Sequence, residues 1–367
     1  MKVGVVGLGI AGLSVCVRLA EAGHDVHGFD RFGEMHDRGS SHGDTRIFRL
    51  APGEGEIYVG LAERAKAGWL DWEKRLGATL LEPVNGIMTG PPGSAFVASC
   101  ERLSERFDHD YAMRFGLDVF TMTNGLVKLP LNWNSCVQRE CGVLYADAAR
   151  KFLTTYARDL GATLAFDSRV RARIASPILR AGDDKHAFDA VIVAGGAWTS
   201  RLAPDLAPHL TPKRRVVGWF APQPGFATPH IVCADNEVGL YGMPTPDGLY
   251  KIGLHVIGDA IDPDKVAEPN ARDAAMLSQQ IRTFFPHLKP APVRMARCIY
   301  TMTADENFII EPVRKRVLAL SCCSGHGFKY APVYGDIALD WLEGRGAPAA
   351  FGLSDRAKAA TKLGHAD

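Results

Sequence analysis

Two neighbouring segments near the start of the chain carry residue types and spacings that could do chemistry. Residues 3–30 hold three glycines in GxGxxG spacing and end at an aspartate, and residues 39–49 read GSSHGDTRIFR. Such glycines allow a tight turn, close approach of the backbone to a pyrophosphate and close helix packing, and the carboxylate suits ribose hydroxyls. The second segment adds a polar loop and two arginines, so together the segments predict a flavoenzyme that acts on a small acid. The residues concerned are Gly7, Gly9, Gly12, Asp30, Arg46 and Arg49.

A strand–helix–strand unit must position these residues, and the hydrophobic pattern predicts one. Residues 2–7 form a short Val-rich run typical of a buried parallel strand, residues 9–22 have helical apolar spacing, and residues 25–30 form a second strand. The helix N-terminus would offer N–H groups and partial positive charge to phosphates. GxGxxG alone is a weak signal, whereas in this context it predicts a site for the ADP half of FAD or NAD, and Asp30 fits either cofactor.

The stretch that follows favours FAD over NAD. A simple NAD dehydrogenase usually continues with more βα units, but here the polar residues 31–49 intervene. A further buried strand is predicted over residues 189–194, and residues 195–198 (GGAW) follow it. This pattern suits an elongated FAD that lies along its domain.

The order of the remaining elements predicts a discontinuous two-domain α/β fold. A chain of 367 residues exceeds the size at which one core keeps growing. Further helices are predicted over residues 56–76, 146–160, 272–285 and 331–342, and further strands over 163–166 and 317–320. Nucleotide-type βα elements therefore lie at the start, middle and end, with two β-rich insertions between them. We assign a Rossmann-like FAD-binding domain to residues 1–80, 142–211 and 302–367, and an interleaved mixed-sheet α+β substrate domain to residues 81–141 and 212–301.

Charge and cysteine content argue against several other classes of protein. The 42 Lys and Arg against 41 Asp and Glu leave a net charge of +1, so neither nucleic acid nor an anionic membrane is expected as a partner. No apolar run approaches the roughly 20 residues of a membrane span, and the start does not resemble a signal peptide. The eight cysteines form no CxxC pair and the histidines no zinc-like cluster. We therefore expect no metal site, reduced thiols and a cytoplasmic location.

Four longer motifs make the prediction more specific. Residues 39–49 (GSSHGDTRIFR), 195–203 (GGAWTSRLA), 298–301 (CIYT) and 324–329 (SGHGFK) resemble, in this order and across nearly the whole chain, the monomeric sarcosine oxidase and N-methyltryptophan oxidase family. This group also includes pipecolate and fructosyl-amino-acid oxidases. The resemblance implies a glutathione-reductase-type FAD domain interleaved with a mixed-sheet substrate domain, in agreement with the layout above, and a monomer.

The resemblance also implies how FAD is held. In the family, a cysteine just before a Tyr-Thr pair binds FAD covalently, and Cys298 matches that position. A thiolate can add to the electron-poor oxidised flavin ring, and reoxidation leaves a thioether; the alternative is a buried cysteine beside noncovalent FAD. The residues expected to bind the cofactor are Gly7, Gly9, Gly12, Asp30, Arg31, Gly39, Ser40, Ser41, Thr45, Val170, Gly196, Trp198, Cys298, Gly325 and Gly327.

Cationic residues supply the expected substrate and catalytic positions. Arg49 and Lys329 match the family's carboxylate pair, which fits the bidentate geometry of Arg and the point charge of Lys. Arg46 matches an arginine near the flavin ring, where positive charge would stabilise the reduced, anionic flavin. Lys251 matches the lysine that activates oxygen, its ammonium stabilising superoxide-like charge. Arg49 and Lys329 could instead form ordinary surface salt bridges, and Lys251 could instead be an exposed lysine of a strand.

Two further residues match family positions in the active site. His255 and Tyr241 are expected to line the substrate cavity, and neither need be an obligatory base. Apolar residues alternate along 250–254, which indicates a strand, so Lys251 and His255 should share the face opposite to the apolar one. Cys322 and Cys323 depart from the family pattern and are predicted to be buried packing residues.

These observations predict an FAD-dependent oxidase of a secondary or N-methyl amino acid. Hydride transfer to flavin would give an imine that hydrolyses, and O2 would reoxidise the flavin to form H2O2. The alternatives are a dehydrogenase that uses another electron acceptor, or an oxidase of cyclic (pipecolate-like) or glycated amino acids. Cys298 and the GSSHGDTR motif disfavour an NAD-linked dehydrogenase, and the near-neutral charge disfavours an RNA-modifying module.

Overall fold

The computed structural model describes residues 1–171, 174–256 and 258–354. The strands are β1 (Lys2–Val6), β2 (Asp25–Phe29), β3 (Thr45–Phe48), β4 (Leu81–Gly90), β5 (Tyr111–Phe115), β6 (Asn134–Tyr145), β7 (Thr163–Ala165), β8 (Ile178–Ala181), β9 (Asp184–Ala187), β10 (Ala190–Val193), β11 (Thr211–Phe220), β12 (Ile231–Ala234), β13 (Leu240–Pro244), β14 (Tyr250–Leu254), β15 (Arg294–Met302), β16 (Ile309–Arg314) and β17 (Val317–Ser321). The helices are α1 (Ile10–Glu21), α2 (Val59–Leu76), α3 (Ala95–Arg106), α4 (Gly116–Met122), α5 (Ala146–Asp159), α6 (Thr199–Leu202), α7 (Ala271–Phe284) and α8 (Ala331–Leu342). Short 3-10 helices span Glu56–Tyr58, Gly196–Trp198, Pro204–His209, Gly327–Tyr330 and Ala349–Phe351.

The chain divides into two compact units, each built from separate stretches of sequence. Unit 1 comprises Met1–His42, Asp147–Lys213 and Ile299–Asp367, and unit 2 comprises Gly43–Ala146 and Arg214–Cys298. The sequence placed the first boundary at residue 80, whereas in the structure residues 43–80 group with unit 2. The reason is that β3 pairs antiparallel with β6, so this segment joins the large sheet of unit 2.

Unit 1 is built on a mixed sheet in the order β16-β17-β10-β1-β2-β7. The strands from β17 to β7 run parallel, and β16 adds antiparallel to β17. β10 and β17 are buried along their whole length, as expected for strands covered on both faces. β1 lies between β2, which follows it through α1, and β10, which comes much later in the chain. This change in strand order is the place where open α/β sheets bind ligands, at the carboxyl ends of the strands.

Unit 2 is built on a sheet in the order β15-β11-β14-β13-β12-β4-β6-β3, with β5 also paired to β6. Its pairings are antiparallel around β14, where β14 lies between β11 and β13. One face of the sheet packs against α7, since Ile252 of β14 and Phe220 of β11 share a buried cluster with Leu277 of the helix. Side chains alternate along a strand, so Lys251 faces the other side. Met243 is its partner on β13.

Candidate active site

A large cavity in unit 1 lies at the carboxyl ends of β1, β2, β10 and β17. The space not occupied by protein atoms is about 1190 Å³, a volume that includes open solvent. The predicted cofactor residues that line it are Gly7, Gly9, Asp30, Arg31, Gly39, Ser40, Ser41, Val170, Gly196 and Trp198. A cleft at the switch point of a parallel sheet, lined by these glycines and by Asp30, is the place where a doubly wound sheet binds a dinucleotide.

The turn between β1 and α1 leaves little room for a side chain at its glycine positions. Gly7 has a φ of +96°, and a Cβ atom there would lie 2.3 Å from the Ala194 carbonyl oxygen. A Cβ atom on Gly12 would lie 1.8 Å from the carbonyl oxygen of Gly7, so Gly12 lets the helix pack against the turn rather than lining the cavity. A Cβ atom on Gly9 would come 3.0 Å from Ser41 Oγ. The turn therefore leaves an open backbone surface, which is what close approach of a pyrophosphate requires.

Asp30 supports this turn as well as lining the cavity. Its side chain is buried, and Oδ2 accepts a hydrogen bond from Leu8 N at 2.7 Å. Oδ1 accepts from Phe32 N at 3.0 Å, and His36 Nε2 lies 3.5 Å from it. A carboxylate oxygen can accept more than one hydrogen bond, so both oxygens of Asp30 keep capacity to accept from ribose hydroxyls. The carboxylate thus fixes the backbone on both sides of the cavity at the same time.

The loop that contains Ser41 is tied to the start of α1. Ser41 Oγ accepts a hydrogen bond from Ile10 N at 3.0 Å, and Gly9, the residue at the N-cap of the helix, has no side chain to do so. The first N–H groups of a helix lack partners within the helix and attract anions. Ser41 therefore brings residues 39–41 to the end of α1 where the phosphates of a dinucleotide would bind.

Several residues that line the cavity were not predicted from the sequence. Phe32, His36, Ser168 and Ser321 line it, and each follows or ends a strand of the sheet. The Ser321 hydroxyl is buried and has no hydrogen-bond partner among the residues that the structure describes. An unpaired buried hydroxyl costs roughly 1–3 kcal/mol, so it fits a site in which a ligand supplies the partner. The rule that ligands bind at the carboxyl ends of parallel strands could have found these positions.

The prediction that Cys322 and Cys323 are buried packing residues was wrong. Both line the cavity and are partly exposed, because they directly follow the carboxyl end of β17. Cys323 Sγ accepts a hydrogen bond from Thr301 N at 3.3 Å. Desolvation raises the pKa of Cys322 well above its ordinary value, so that side chain is a neutral thiol at pH 7.

The remaining predicted cofactor residues lie outside the lining of this cavity. Gly325 has a φ of +80°, and Gly327 would place a Cβ atom 1.9 Å from the Cys322 carbonyl oxygen, so both shape the turn after β17. Cys298 lies on β15 as the last residue of unit 2 and is buried, with its thiol free of any disulfide. Thr45 also belongs to unit 2, at the start of β3.

Unit 2 brings together two of the predicted cationic residues on a pair of carbonyl groups. Lys251 is 2% exposed, and its Nζ donates to Gly43 O at 2.6 Å and to Thr45 O at 2.8 Å. Arg46 Nη1 donates to the same oxygens, at 3.3 Å to Gly43 O and 2.7 Å to Thr45 O. We call these two oxygens the carbonyl cradle. It concentrates two positive side chains at one place on the sheet, which suits stabilisation of negative charge.

Arg49 is a second buried cation in unit 2, and only part of its guanidinium is used. Nη2 pairs with Glu54 Oε1 at 2.8 Å, whereas Nε and Nη1 are buried without a hydrogen-bond partner in the described part of the chain. Burial lowers the pKa of Arg49, but the ion pair with Glu54 outweighs it, so the pKa lies above its ordinary value. The guanidinium carbon lies 5.5 Å from the centroid of the Phe96 ring. A permanently charged group with unsatisfied N–H donors is suited to bind a carboxylate.

The other predicted site residues occupy different environments. Lys329 is buried in unit 1 in the 3-10 helix Gly327–Tyr330, with Nζ 5.0 Å from the Tyr330 ring centroid. Tyr241 lies opposite Gly253 in the β13–β14 pairing, and a Cβ atom on Gly253 would come 2.3 Å from the Tyr241 ring. Tyr241 therefore shares the sheet face of Lys251.

His255 lies just beyond the end of its strand. β14 ends at Leu254, so alternation along the strand places Lys251 and Gly253 on one face but does not place His255. The His255 backbone N–H donates to Gly239 O at 2.9 Å, and its side chain is partly exposed. Its expected position in a substrate cavity stays a prediction.

Comparison with known proteins identifies the family. The model for the DAO family, described as FAD dependent oxidoreductase, matches residues 2–341. The chain belongs to this family. The predicted family, fold class and enzyme class are therefore confirmed, and the cofactor of the family is FAD, in agreement with the cavity of unit 1.

Two curated relatives match nearly the full length. Monomeric sarcosine oxidase from Bacillus sp. (strain B-0618) is 31% identical over 355 residues, covering 91% of this chain and 90% of the relative. N-methyl-L-tryptophan oxidase from Yersinia pestis (strain Pestoides F) is 30% identical over 373 residues, covering 95% and 98% respectively.

Solved structures show the same fold at lower identity. NikD, an unusual amino acid oxidase essential for nikkomycin biosynthesis, has a TM-score of 0.81 with 20% identity, covering 95% of this chain and 94% of its own. Glycine oxidase from Geobacillus kaustophilus has a TM-score of 0.80 with 19% identity, covering 96% and 97%. Within the described residues, every helix is too short or too polar to cross a membrane.

Proposed function

We propose that this FAD-dependent oxidoreductase is an oxidase of a secondary or N-methyl amino acid. The observation that carries the proposal is the buried Arg49 guanidinium, in which two nitrogens lack hydrogen-bond partners among the described residues. The sarcosine and N-methyl-L-tryptophan oxidases that the chain resembles support the same substrate class. When bound, FAD supplies a ring that takes a hydride from the amine and later passes two electrons to O2, which gives H2O2. The amino acid is left as an imine, which water hydrolyses.

Arg49 would anchor the substrate carboxylate. A carboxylate brings two oxygens to N–H groups that otherwise stay buried and unpaired, and charge-assisted hydrogen bonds of this kind are worth about 1.5–3 kcal/mol each. Lys329 would add a second positive charge, since it is also buried. A neutral amine without a carboxylate gains none of these interactions, so we expect it to be a poor substrate.

The carbonyl cradle would hold Lys251 in place for the reaction with O2. Lys251 holds its ammonium in place with two short hydrogen bonds, so no reorganisation is needed when negative charge develops on oxygen. Arg46 would stabilise the anionic, reduced state of the cofactor. Tyr241 and His255 would contact the substrate without acting as obligatory bases.

A panel of substrates tests the proposal directly. N-methyl, cyclic and glycated amino acids, each with its decarboxylated amine as a control, are assayed for H2O2. We expect H2O2 from at least one secondary amino acid and much less from its amine. H2O2 from the amines alone would contradict the proposal. Turnover without H2O2 in air would indicate a dehydrogenase with another acceptor.

Substitution of the carboxylate anchor sharpens this test. Arg49→Ala should raise KM for the amino acid by about 10- to 100-fold, the equivalent of one lost charge-assisted hydrogen bond, and change KM for the amine little. Arg139→Ala is the matched control, because Arg139 forms an exposed ion pair with Asp110 at 2.8 Å. An unchanged KM for acidic substrates in Arg49→Ala would refute the role of the arginine.

We also propose a covalent link between Cys298 and FAD. It is supported by the match of residues 298–301 to the family motif and by the burial of the Cys298 side chain. Acid precipitation checks it. Flavin that is covalently linked stays with the precipitated protein, whereas the Cys298→Ser variant should release its flavin into the supernatant. Yellow colour in the supernatant of the unmodified protein would contradict the link. The monomeric state and cytoplasmic location stay predictions.

A further inference from the structure

We propose that Arg294 is a positioning residue for Lys251 and acts through the loop that forms the carbonyl cradle. Arg294 would hold Asp44, and Asp44 would hold the carbonyl groups on either side of it in the orientation that binds the ammonium. The expected effect on oxygen reactivity rests on the role proposed above for Lys251, whereas the effect on the position of Lys251 does not. All the residues involved belong to unit 2.

The loop has a backbone conformation that needs support. Gly43 has a φ of +97° and Asp44 a φ of +53°, so two consecutive residues lie in the left-handed region. A non-glycine residue there costs of the order of 1 kcal/mol or more and persists only where surrounding contacts stabilise it. This conformation directs Gly43 O and Thr45 O at the same Nζ of Lys251. Loss of the conformation at Asp44 would therefore separate the two acceptors.

Arg294 provides a side-chain contact that supports Asp44. Its Nη2 lies 2.7 Å from Asp44 Oδ2, and its Nη1 lies 2.7 Å from Asp247 Oδ2. Asp247 lies in the turn between β13 and β14, where Thr245 Oγ1 donates to it at 2.6 Å. The arginine therefore ties the loop to the turn that precedes the strand carrying Lys251. We call this ion-pair chain the Arg294 bridge.

Trp219 connects the same two cations through its ring. The Arg294 guanidinium carbon lies 4.6 Å from the ring centroid, and Lys251 Nζ lies 5.5 Å from it. Trp219 is buried and is the strand partner of Lys251 in the β11–β14 pairing. A Cβ atom on Gly43 would lie 3.8 Å from Lys251 Nζ and 4.0 Å from the Trp219 ring, so the loop packs directly over both.

The competing explanation is an ordinary surface ion pair. The side chains of Arg294 and Asp44 are 42% and 32% exposed, and exposed pairs contribute little to stability. The two explanations differ in what changes at Lys251. An ordinary ion pair leaves the lysine in place, whereas the Arg294 bridge predicts that its removal loosens the ammonium.

Chemical labelling of the holoenzyme tests the position of Lys251 without reference to catalysis. Acylation by acetic anhydride, followed by peptide mass spectrometry, gives the rate at Lys251 relative to Lys66 in the same molecule. We expect Arg294→Gln and Asp44→Asn to raise this ratio by about 10-fold through local opening of the loop, and Arg294→Lys to restore most of the protection. Arg139→Gln, which removes an exposed ion pair elsewhere in unit 2, should leave the ratio unchanged. An unchanged ratio in both Arg294→Gln and Asp44→Asn would overturn the proposal.

Stopped-flow kinetics then separates this proposal from the function of Lys251. We expect Arg294→Gln to slow reoxidation by O2 about 10-fold while anaerobic reduction by substrate changes by less than about two-fold. Raised labelling with normal reoxidation would support the Arg294 bridge and contradict the role of Lys251 in oxygen activation. Equal slowing of both half-reactions, together with unchanged labelling, would identify a general structural effect and overturn the bridge.

Discussion

The two units prepare their ligand-binding surfaces by opposite means. In unit 1 the turn after β1 contains glycines, and their missing side chains leave the backbone accessible at the switch point of the sheet. In unit 2 the proposed site consists of the cationic side chains of Lys251, Arg46 and Arg49, which backbone carbonyls or a carboxylate hold in place. We therefore expect unit 1 to be most sensitive to added atoms in this turn, and unit 2 to be most sensitive to loss of charge.

Added methyl groups in the turn of unit 1 should have the largest effect. Gly12→Ala forces a Cβ atom to within 1.8 Å of a backbone oxygen, so we expect no flavin to be retained. A Cβ atom in Gly9→Ala meets the Ser41 side chain, at 3.0 Å from Oγ, so this variant should fold and incorporate more flavin than Gly12→Ala but less than the unmodified protein. Flavin absorbance per chain after gel filtration and far-UV circular dichroism measure both effects.

Gly23→Ala is the matched control for these substitutions. Gly23 ends the same helix with a φ of +78° and has open space around it, so alanine there costs about 1 kcal/mol of stability without touching the cavity. Full flavin content in Gly12→Ala would show that unit 1 does not depend on the missing side chain. That result would remove the contrast between the units.

Loss of charge in unit 2 should act on one half-reaction. Lys251→Met keeps the length and apolar contacts of the side chain but removes the donor to Gly43 O and Thr45 O. We expect reoxidation by O2 to slow by about 100- to 1000-fold, the usual cost of one preorganised charge-stabilising donor, with little change in reduction by substrate. Rapid-mixing kinetics of the two half-reactions measures this. Similar losses in both would mean that the lysine supports the fold or the substrate instead.

The contrast between the units also explains what the sequence predicts well. The spacing of Gly7, Gly9 and Gly12 is visible because the turn and the start of the helix follow each other in the chain, although Gly7 and Gly9 themselves meet the distant residues Ala194 and Ser41. Helices such as α8 are equally visible, since the predicted range 331–342 coincides with Ala331–Leu342. Local apolar periodicity sets both the presence and the limits of such a helix.

Contacts between residues that are far apart in the sequence cannot be predicted from such local patterns. The carbonyl cradle joins residues 43–46 to Lys251, and Arg294 joins it from a third strand, β15. No local pattern marks the pairing of β3 with β6, which is why the first domain boundary was placed at residue 80 instead of 42. Lys251 was found only through resemblance to a family, and Arg294 was not found at all.

Asp30 offers a test of whether unit 1 relies on any side chain. Asp30→Asn must turn an NH2 group towards the backbone N–H of Leu8 or of Phe32, because both oxygens of the carboxylate accept hydrogen bonds. We expect a loss of about 1–2 kcal/mol in the free energy of unfolding, and reduced flavin content. Denaturant titration followed by tryptophan and flavin fluorescence measures both. If stability and flavin content stay unchanged, the glycine turn alone defines the site.

The smallest effect is expected where unit 2 uses charge only for stability. Arg214 Nη1 and Nη2 pair with the two oxygens of Asp273, at 3.0 and 2.7 Å, in the first turn of α7. Asp273 also accepts from Asn270 N at 2.9 Å as part of a capping box. We expect Asp273→Asn to cost about 1 kcal/mol in the free energy of unfolding and to leave both half-reactions unchanged.

The pH dependence identifies the source of that energy. The hydrogen bond from Arg214 is the largest influence on Asp273, and it lowers the pKa of the carboxyl below its ordinary value. A group with a depressed pKa in the folded state stabilises the fold above its unfolded pKa, and this contribution is lost as pH falls through the folded pKa. The difference between the unmodified protein and Asp273→Asn should therefore be constant near pH 7 and shrink below about pH 4. If the difference in the free energy of unfolding persists at pH 2.5, the hydrogen-bond geometry of the cap causes it and not the charge of Asp273. Charge in unit 2 would then be important only at the proposed active-site residues.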